Sequence, residues 1–414
     1  MTLDVDFVRS QFPAFSEPSL EGWAFFENAG GSYACAQTID ALECYYRAMK
    51  VQPYGFYPAS EVAGQAMDRS HRLWAAALGV DESEIHFGPS TSMNTYVLAK
   101  AIGAGLTNGD EVIVTNQDHE ANTGAIRRAT EAAGATLVEW LVDPETGLLD
   151  SEQLGARLSS RTKFVTFPHA SNVVGVENDV AELSAMAHEA GARVIVDGVS
   201  FAPHTFPNVA ELNADVYLFS LYKTYSVHQG LMVVRNGLAD ELPNQGHYFN
   251  AGYTSKRLTP AGPDHAQVTA AGAVIDYVTE LAAHHGIAGD VREQTASVSQ
   301  LWRDYETSLL EPLLAALREM TDVRIVGAYR ATGADEAHRC PTVAIVPGSK
   351  DPAAVANALA AKKLMVGAGH FYAKRLVESL GIDSESGVLR LSFVHYTSPS
   401  EVDRLIAALQ EEML

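Results

Sequence analysis

Cysteine is scarce in this chain and positive charge is in the minority. Three cysteines, Cys35, Cys44 and Cys340, are scattered over 414 residues. An odd, widely spaced set is neither a disulfide framework nor a zinc pattern, so reduced thiols in a cytoplasmic protein are expected and a metal site is not. Lys and Arg total 29 against 51 Asp and Glu, a formal charge of −22. Such a surface repels phosphate backbones and anionic headgroups, which argues against nucleic acid and membrane as partners. No apolar run is long enough to span a bilayer. The stretch Met1–Arg9 lacks a basic and then apolar leader, so no signal peptide is expected. Internal repeats and low-complexity linkers are missing as well, which predicts closely docked domains.

What is present is ordinary for a soluble enzyme: 47% hydrophobic and 19% charged residues. The length exceeds what one simple core holds and predicts two domains. From about residue 80 to 235, short β-branched runs alternate with Ala-rich amphipathic stretches. The strand candidates are 84–87, 111–115, 136–140, 164–167, 193–196, 216–219 and 230–235. Helices are expected over 94–103, 119–134, 179–190 and 266–285. This alternation implies parallel βαβ units in an open α/β sheet, which binds ligands beyond the carboxyl ends of its strands. After about residue 290 the texture changes to a long helix over 289–320, strands at 322–326, 342–346 and 389–393, and helices near 351–362 and from Ser400. The expected division is a large domain over 25–288, a smaller C-terminal α+β domain over 289–414, and a segment 1–24 packing with the smaller domain.

The strand ends carry the chemistry. The first strand runs into Gly88–Ser92 (GPSTS), where Ser90, Thr91 and Ser92 offer hydroxyls and a helix start to an anion. Ordinary N-capping fits the same residues. The next strand delivers His119, which can stack on an aromatic cofactor or simply begin a helix. Asn172 follows the strand at 164–167 and can donate to a ring oxygen or stabilise a turn. Asp197 ends the strand at 193–196, and Lys223 follows the strand at 216–219, 26 residues later. A carboxylate for a pyridine nitrogen and a lysine that forms an imine are the two groups pyridoxal 5'-phosphate (PLP) requires. Each signal is weak alone, and their order along one sheet edge is strong.

That order resembles the class V aminotransferase and cysteine desulfurase family of PLP-dependent enzymes, fold type I. The similarity covers nearly the whole chain. It rests on Phe25–Ser32 (FFENAGGS), Asp197–Ser200 (DGVS) with Pro203 and His204, Ser220–Lys223 (SLYK), and Arg390–Ser398 (RLSFVHYTS) with Glu401–Leu405 (EVDRL). The resemblance implies a large domain with a mostly parallel seven-stranded sheet and a smaller C-terminal α+β domain. It implies Lys223 as the Schiff-base lysine, Asp197 as partner of the pyridinium and His119 as the ring stacker. Ser90, Thr91 and Ser92, with Ser220 and Tyr222, would hold the phosphate. Asn172 and Ser200 would border the cofactor, and Arg390 would clamp the substrate α-carboxylate, with Asn28 and His370 on the substrate side.

Departures from the family pattern narrow the reaction. In Val366–Lys374 (VGAGHFYAK), Tyr372 stands where a desulfurase carries its nucleophilic Cys. Gly367 replaces a family Arg, and Ser200 a family Gln. The expectation is aminotransferase-type chemistry on a small α-amino acid, with a C–S β-lyase or an amino-acid epimerase lacking a persulfide-forming cysteine as the alternative. The polar segment His247–His265 is too long for an idle connector. The family implies a homodimer with shared active sites, and this loop is expected to enter the neighbour's site.

Overall fold

The computed structural model describes residues 2–327 and 338–413. In chain order its strands are β1 Ala24–Phe25, β2 Ile85–Gly88, β3 Glu111–Thr115, β4 Thr136–Trp140, β5 Thr162–Pro168, β6 Arg193–Asp197, β7 Val216–Ser220, β8 Gly230–Val234, β9 Arg324–Val326, β10 Thr342–Val346, β11 Leu364–Met365, β12 Gly367–Gly369 and β13 Val388–Ser392. Seven of them form the main sheet in the order β2-β8-β7-β6-β5-β3-β4. Pairing is parallel from β7 through β4, and β8 runs antiparallel to both β7 and β2. The carboxyl ends of β2, β3, β5, β6 and β7 therefore lie on one edge, as the α/β alternation predicts.

The strands of this sheet are near-continuous apolar runs because both faces are covered. β2, β3, β6, β7 and β8 are buried almost throughout, the signature of a sheet sandwiched between helices. On one face Phe167, Tyr217 and Phe219 of the sheet join a core with Trp74 and Trp302; the other face packs on Leu98, Ile102, Ile126 and Leu238. A second sheet, β12-β13-β10-β9, is antiparallel and packs on the end of the long helix Val291–Arg318 and on Pro399–Met413. β1 pairs in parallel with β11 beside that second core.

The N-terminal segment is tied to both bodies of structure. Arg9 pairs with Glu401 at 2.9 Å, while Phe12 packs against Tyr225, Tyr277 and Tyr396. The helix expected over 266–285 is two helices, His265–Ala271 and Ala273–His284, parted at Gly272. The reason is a close approach: Gly272 N–H donates to Ser70 Oγ at 3.1 Å, and a Cβ there would lie 2.6 Å from that oxygen. The 289–320 helix begins at Val291, because Asp290 and Glu293 form a reciprocal capping box. Two helices absent from the sequence expectation, Ala36–Ala48 and Pro58–Leu78, pack on the helix that starts at His265, and the second also meets β2. Pro58 at the first turn and the left-handed Gly79 at the end were the available signals for the second. No helix among the described residues is long and apolar enough to cross a membrane.

Candidate active site

A cavity of about 240 Å³ opens at the carboxyl edge of the main sheet. Ser90, Thr91, Ser92, His119, Asn172, Asp197, Ser200, Ser220, Tyr222 and Lys223 all line it, so the structure brings together every residue that the sequence placed around a cofactor.

At one end, Ser90 caps the helix Thr91–Gly105 by accepting from Met93 N–H at 3.2 Å. Thr91 Oγ1 and Ser220 Oγ lie 2.7 Å apart, so β7 and the helix start share one hydroxyl cluster. This end is open because β8 begins with glycine: a Cβ on Gly230 would collide with the Ser90–Thr91 backbone. Tyr222 lies flat on His228, with centroids 4.7 Å apart and planes at 6°. Capping and anion binding are therefore compatible at this helix start, since the Ser90 side chain satisfies one N–H and leaves the helix dipole facing the cavity.

At the other end sit the titrating groups. Asp197 Oδ1 accepts from Val199 N–H at 2.8 Å. Burial pushes its carboxyl up to about 6, opposed by the Val199 hydrogen bond and the Lys223 charge. Burial likewise brings the Lys223 ammonium down to about 8, with the Arg390 charge adding to the effect and Asp197 and Glu27 opposing it. His119 caps the helix Glu120–Ala132, its Nδ1 accepting from Ala121 N–H at 3.0 Å. That bond assigns the proton of the neutral ring to Nε2. Burial and the nearby Lys223 and Arg390 charges push its pKa down to about 3, so the ring stays neutral.

Sequence reasoning passed over two residues. Asp118 also lines the cavity, buried, accepting from His119 N–H at 2.8 Å and from the Asn122 amide. Burial and the Asp197 charge push its carboxyl well up. Its place beside His119 at a strand end was the available signal. Glu27 pairs with Arg390 at 2.6 Å across 363 residues, and no local pattern announces such a contact.

The three substrate-side candidates lie outside this cavity's lining. Arg390 is buried on β13, donates to Asn172 O at 3.1 Å and stacks on Phe371 at 3.7 Å. The Asn28 amide is engaged structurally: it donates to Phe25 O and Ser392 O, both at 3.2 Å, and accepts from Tyr396. His370 Nδ1 accepts from Tyr372 N–H at 3.1 Å and so turns back on its own loop. In that loop Phe371 and Tyr372 are consecutive left-handed residues, φ 48° and 59°. They are stitched down by Asn172 Nδ2 donating to Phe371 O and by Glu120 N–H donating to Tyr372 O, both at 2.9 Å. One Asn172 donor is thus engaged by the loop, and its Oδ1 is buried without a partner among the described residues. The exposed Tyr372 ring stands 5.3 Å from His119.

Cys35 and Cys340 are buried, and burial pushes the first thiol up to about 11 and the second well above its usual range. Cys44 is exposed on the helix Ala36–Ala48. None of the three lines the cavity.

Residues 24–405 match the family described as Aminotransferase class-V. The aminotransferase-like protein FGM3 of Gibberella zeae is 31% identical over 99% of this chain and 98% of its own length. A cysteine desulfurase of Serratia proteamaculans is 28% identical over the same shares of the two chains. The apo structure of a cysteine desulfurase from Thermococcus onnurineus NA1 superposes with a TM-score of 0.86 at 23% identity, covering 100% of this chain and 98% of that one.

Proposed function

We propose, for a chain that belongs to the class V aminotransferase family of PLP-dependent enzymes, an aminotransferase-type reaction on a small α-amino acid. The observation that carries this reading is the convergence of Asp197 and Lys223 on one cavity with a hydroxyl-lined helix start. The residues fit PLP: a dipole end with three hydroxyl residues suits a phosphate, a buried carboxyl suits a pyridine nitrogen, and a lysine held near pH 8 suits covalent attachment. When bound, PLP supplies the electron sink that stabilises a carbanion at the substrate Cα.

The chain's own residues supply the rest. Ser90, Thr91, Ser92 and Ser220 bind the phosphate. Asp197 would keep a proton on the ring nitrogen, and the fixed, neutral His119 ring would be the group available to pack on the cofactor. Lys223 would hold the cofactor, and its amine, once displaced by the substrate amine, would be the group that takes a proton from the substrate Cα. Its depressed basicity leaves a useful fraction of free amine at neutral pH. Arg390 orients the substrate through its α-carboxylate. Tyr372 cannot form a persulfide. We also propose a homodimer with shared sites. Exposed Tyr54, Phe56, Tyr57, Tyr248, Phe249 and Tyr253 supply an apolar contact surface around the 247–265 loop.

A second reading, C–S β-lyase chemistry, is favoured by the relatives named cysteine desulfurases. Product analysis separates the two. A keto acid with stoichiometric pyridoxamine phosphate indicates transamination. Ammonia with a released thiol or sulfinate indicates the lyase and overturns the first reading.

A further inference from the structure

Arg390, the proposed carboxylate clamp, is already paired within the fold. Its Nη2 donates to Glu27 Oε1 at 2.6 Å, its Nη1 donates to Asn172 O, and its face is covered by Phe371. Two polar atoms of the pair are left over. Arg390 Nε and Glu27 Oε2 are both buried with no hydrogen-bond partner among the described residues. Buried polar atoms left without a partner cost free energy, and a further group at this place could complete their bonding.

The Glu27 carboxylate sits in a slot made by glycine. A Cβ on Gly30 would lie 2.7 Å from Glu27 Oε1, and a Cβ on Gly367 would lie 2.6 Å from Oε2 and 2.8 Å from the Phe371 ring. Any side chain at either position would press on the carboxylate. Neither glycine has a left-handed φ, so backbone conformation does not require them. The space itself is what glycine supplies. Glu27 also acts on the reacting end of the site, because its charge opposes the Arg390 charge at Lys223.

We propose that Glu27 is a specificity-determining residue that makes the Arg390 end of the site nearly neutral and so excludes amino acids carrying a second carboxylate. The substrate class is then an α-amino acid with an uncharged or basic side chain. Arg390 has one cationic group to offer. With Glu27 on one of its nitrogens, the remaining donors suffice for one α-carboxylate. A side-chain carboxylate would face Glu27 without a counter-charge, and like charges placed together in a partly buried site are strongly disfavoured. A bare ion pair that only ties the N-terminal strand to β13 is the competing explanation.

The inference rests on Arg390 as the α-carboxylate clamp, and the test separates the two. Spectral titration of the PLP-loaded enzyme with glycine and with L-aspartate gives a dissociation constant for each. Glu27→Gln keeps the volume and an acceptor oxygen on Arg390. Gly367→Ala leaves Glu27 in place chemically and displaces its carboxylate. In both variants the aspartate-to-glycine ratio of dissociation constants is expected to fall on the order of tenfold, with bound-PLP absorbance and melting temperature checking the fold. A ratio unchanged in both variants, while Arg390→Lys weakens glycine and aspartate alike, overturns the role of Glu27 and keeps the clamp. If Arg390→Lys leaves both ligands unaffected, the clamp itself fails and the inference falls with it.

Discussion

Lys223 provides the sharpest quantitative expectation. Its ammonium is lowered from 10.5 to about 8, chiefly by burial and then by the Arg390 charge, with Asp197 and Glu27 working in the opposite direction. At about 1.36 kcal/mol per pH unit, the site disfavours the charged form by roughly 3 kcal/mol. Near pH 8 about half of Lys223 is then free amine, against roughly 0.3% for an ordinary lysine, a gain of about 150-fold in reactive form. The rate of covalent PLP attachment to apo-protein, followed by absorbance and by borohydride trapping, should rise with pH through a midpoint about 8. The sign of each neighbour follows directly. Removing a cation relieves Lys223, so Arg390→Met should move the midpoint up. Removing a carboxylate deprives it of support, so Asp197→Asn should move the midpoint down. A wild-type midpoint near 10.5, or two variants moving the same way, would refute this electrostatic account. A trapped adduct that survives Lys223→Ala would sink the assignment of the lysine itself.

Other expectations are as direct. Asp197→Asn should retain PLP but lose most of the turnover, on the order of a hundredfold or more, because an amide cannot support a protonated ring nitrogen; activity within a few-fold of wild type counts against that role. Replacing Cys35, Cys44 and Cys340 together should leave turnover intact, since the two buried thiols are held protonated and the third lies on a distant helix; loss of turnover in any single Cys→Ala protein would reinstate thiol chemistry. Gly230→Ala should cost about 1–3 kcal/mol by overpacking against Ser90 and Thr91, measured by denaturant unfolding, and should weaken PLP retention in parallel. Equal mixing of Lys223→Ala with an inactive His265→Ala protein should restore up to about a quarter of wild-type activity if sites are shared, because half the dimers are hybrids with one intact site each; no recovery after proven subunit exchange leaves the 247–265 loop as a local lid.

The sequence by itself determined the main sheet and the ring of groups around its carboxyl edge. Ile113, Val165, Val194 and Leu218 belong to runs too apolar and too short for anything but buried strands, and each run ends on a residue that cannot be buried idly. Strand direction in a βαβ chain is fixed by the crossover, so His119, Asn172, Asp197 and Lys223 must meet on one side. Local pattern could not reveal contacts between distant segments. Glu27 meets Arg390 only after the N-terminal strand joins the second sheet, and Gly367 reads as a missing arginine until the carboxylate filling its space is seen. The Asn28 amide is claimed by Ser392 and Tyr396, and Gly272 breaks a helix because Ser70 approaches from elsewhere in the chain. In each case the deciding energy is the pairing or clash of groups hundreds of residues apart, which exists only once the chain has folded.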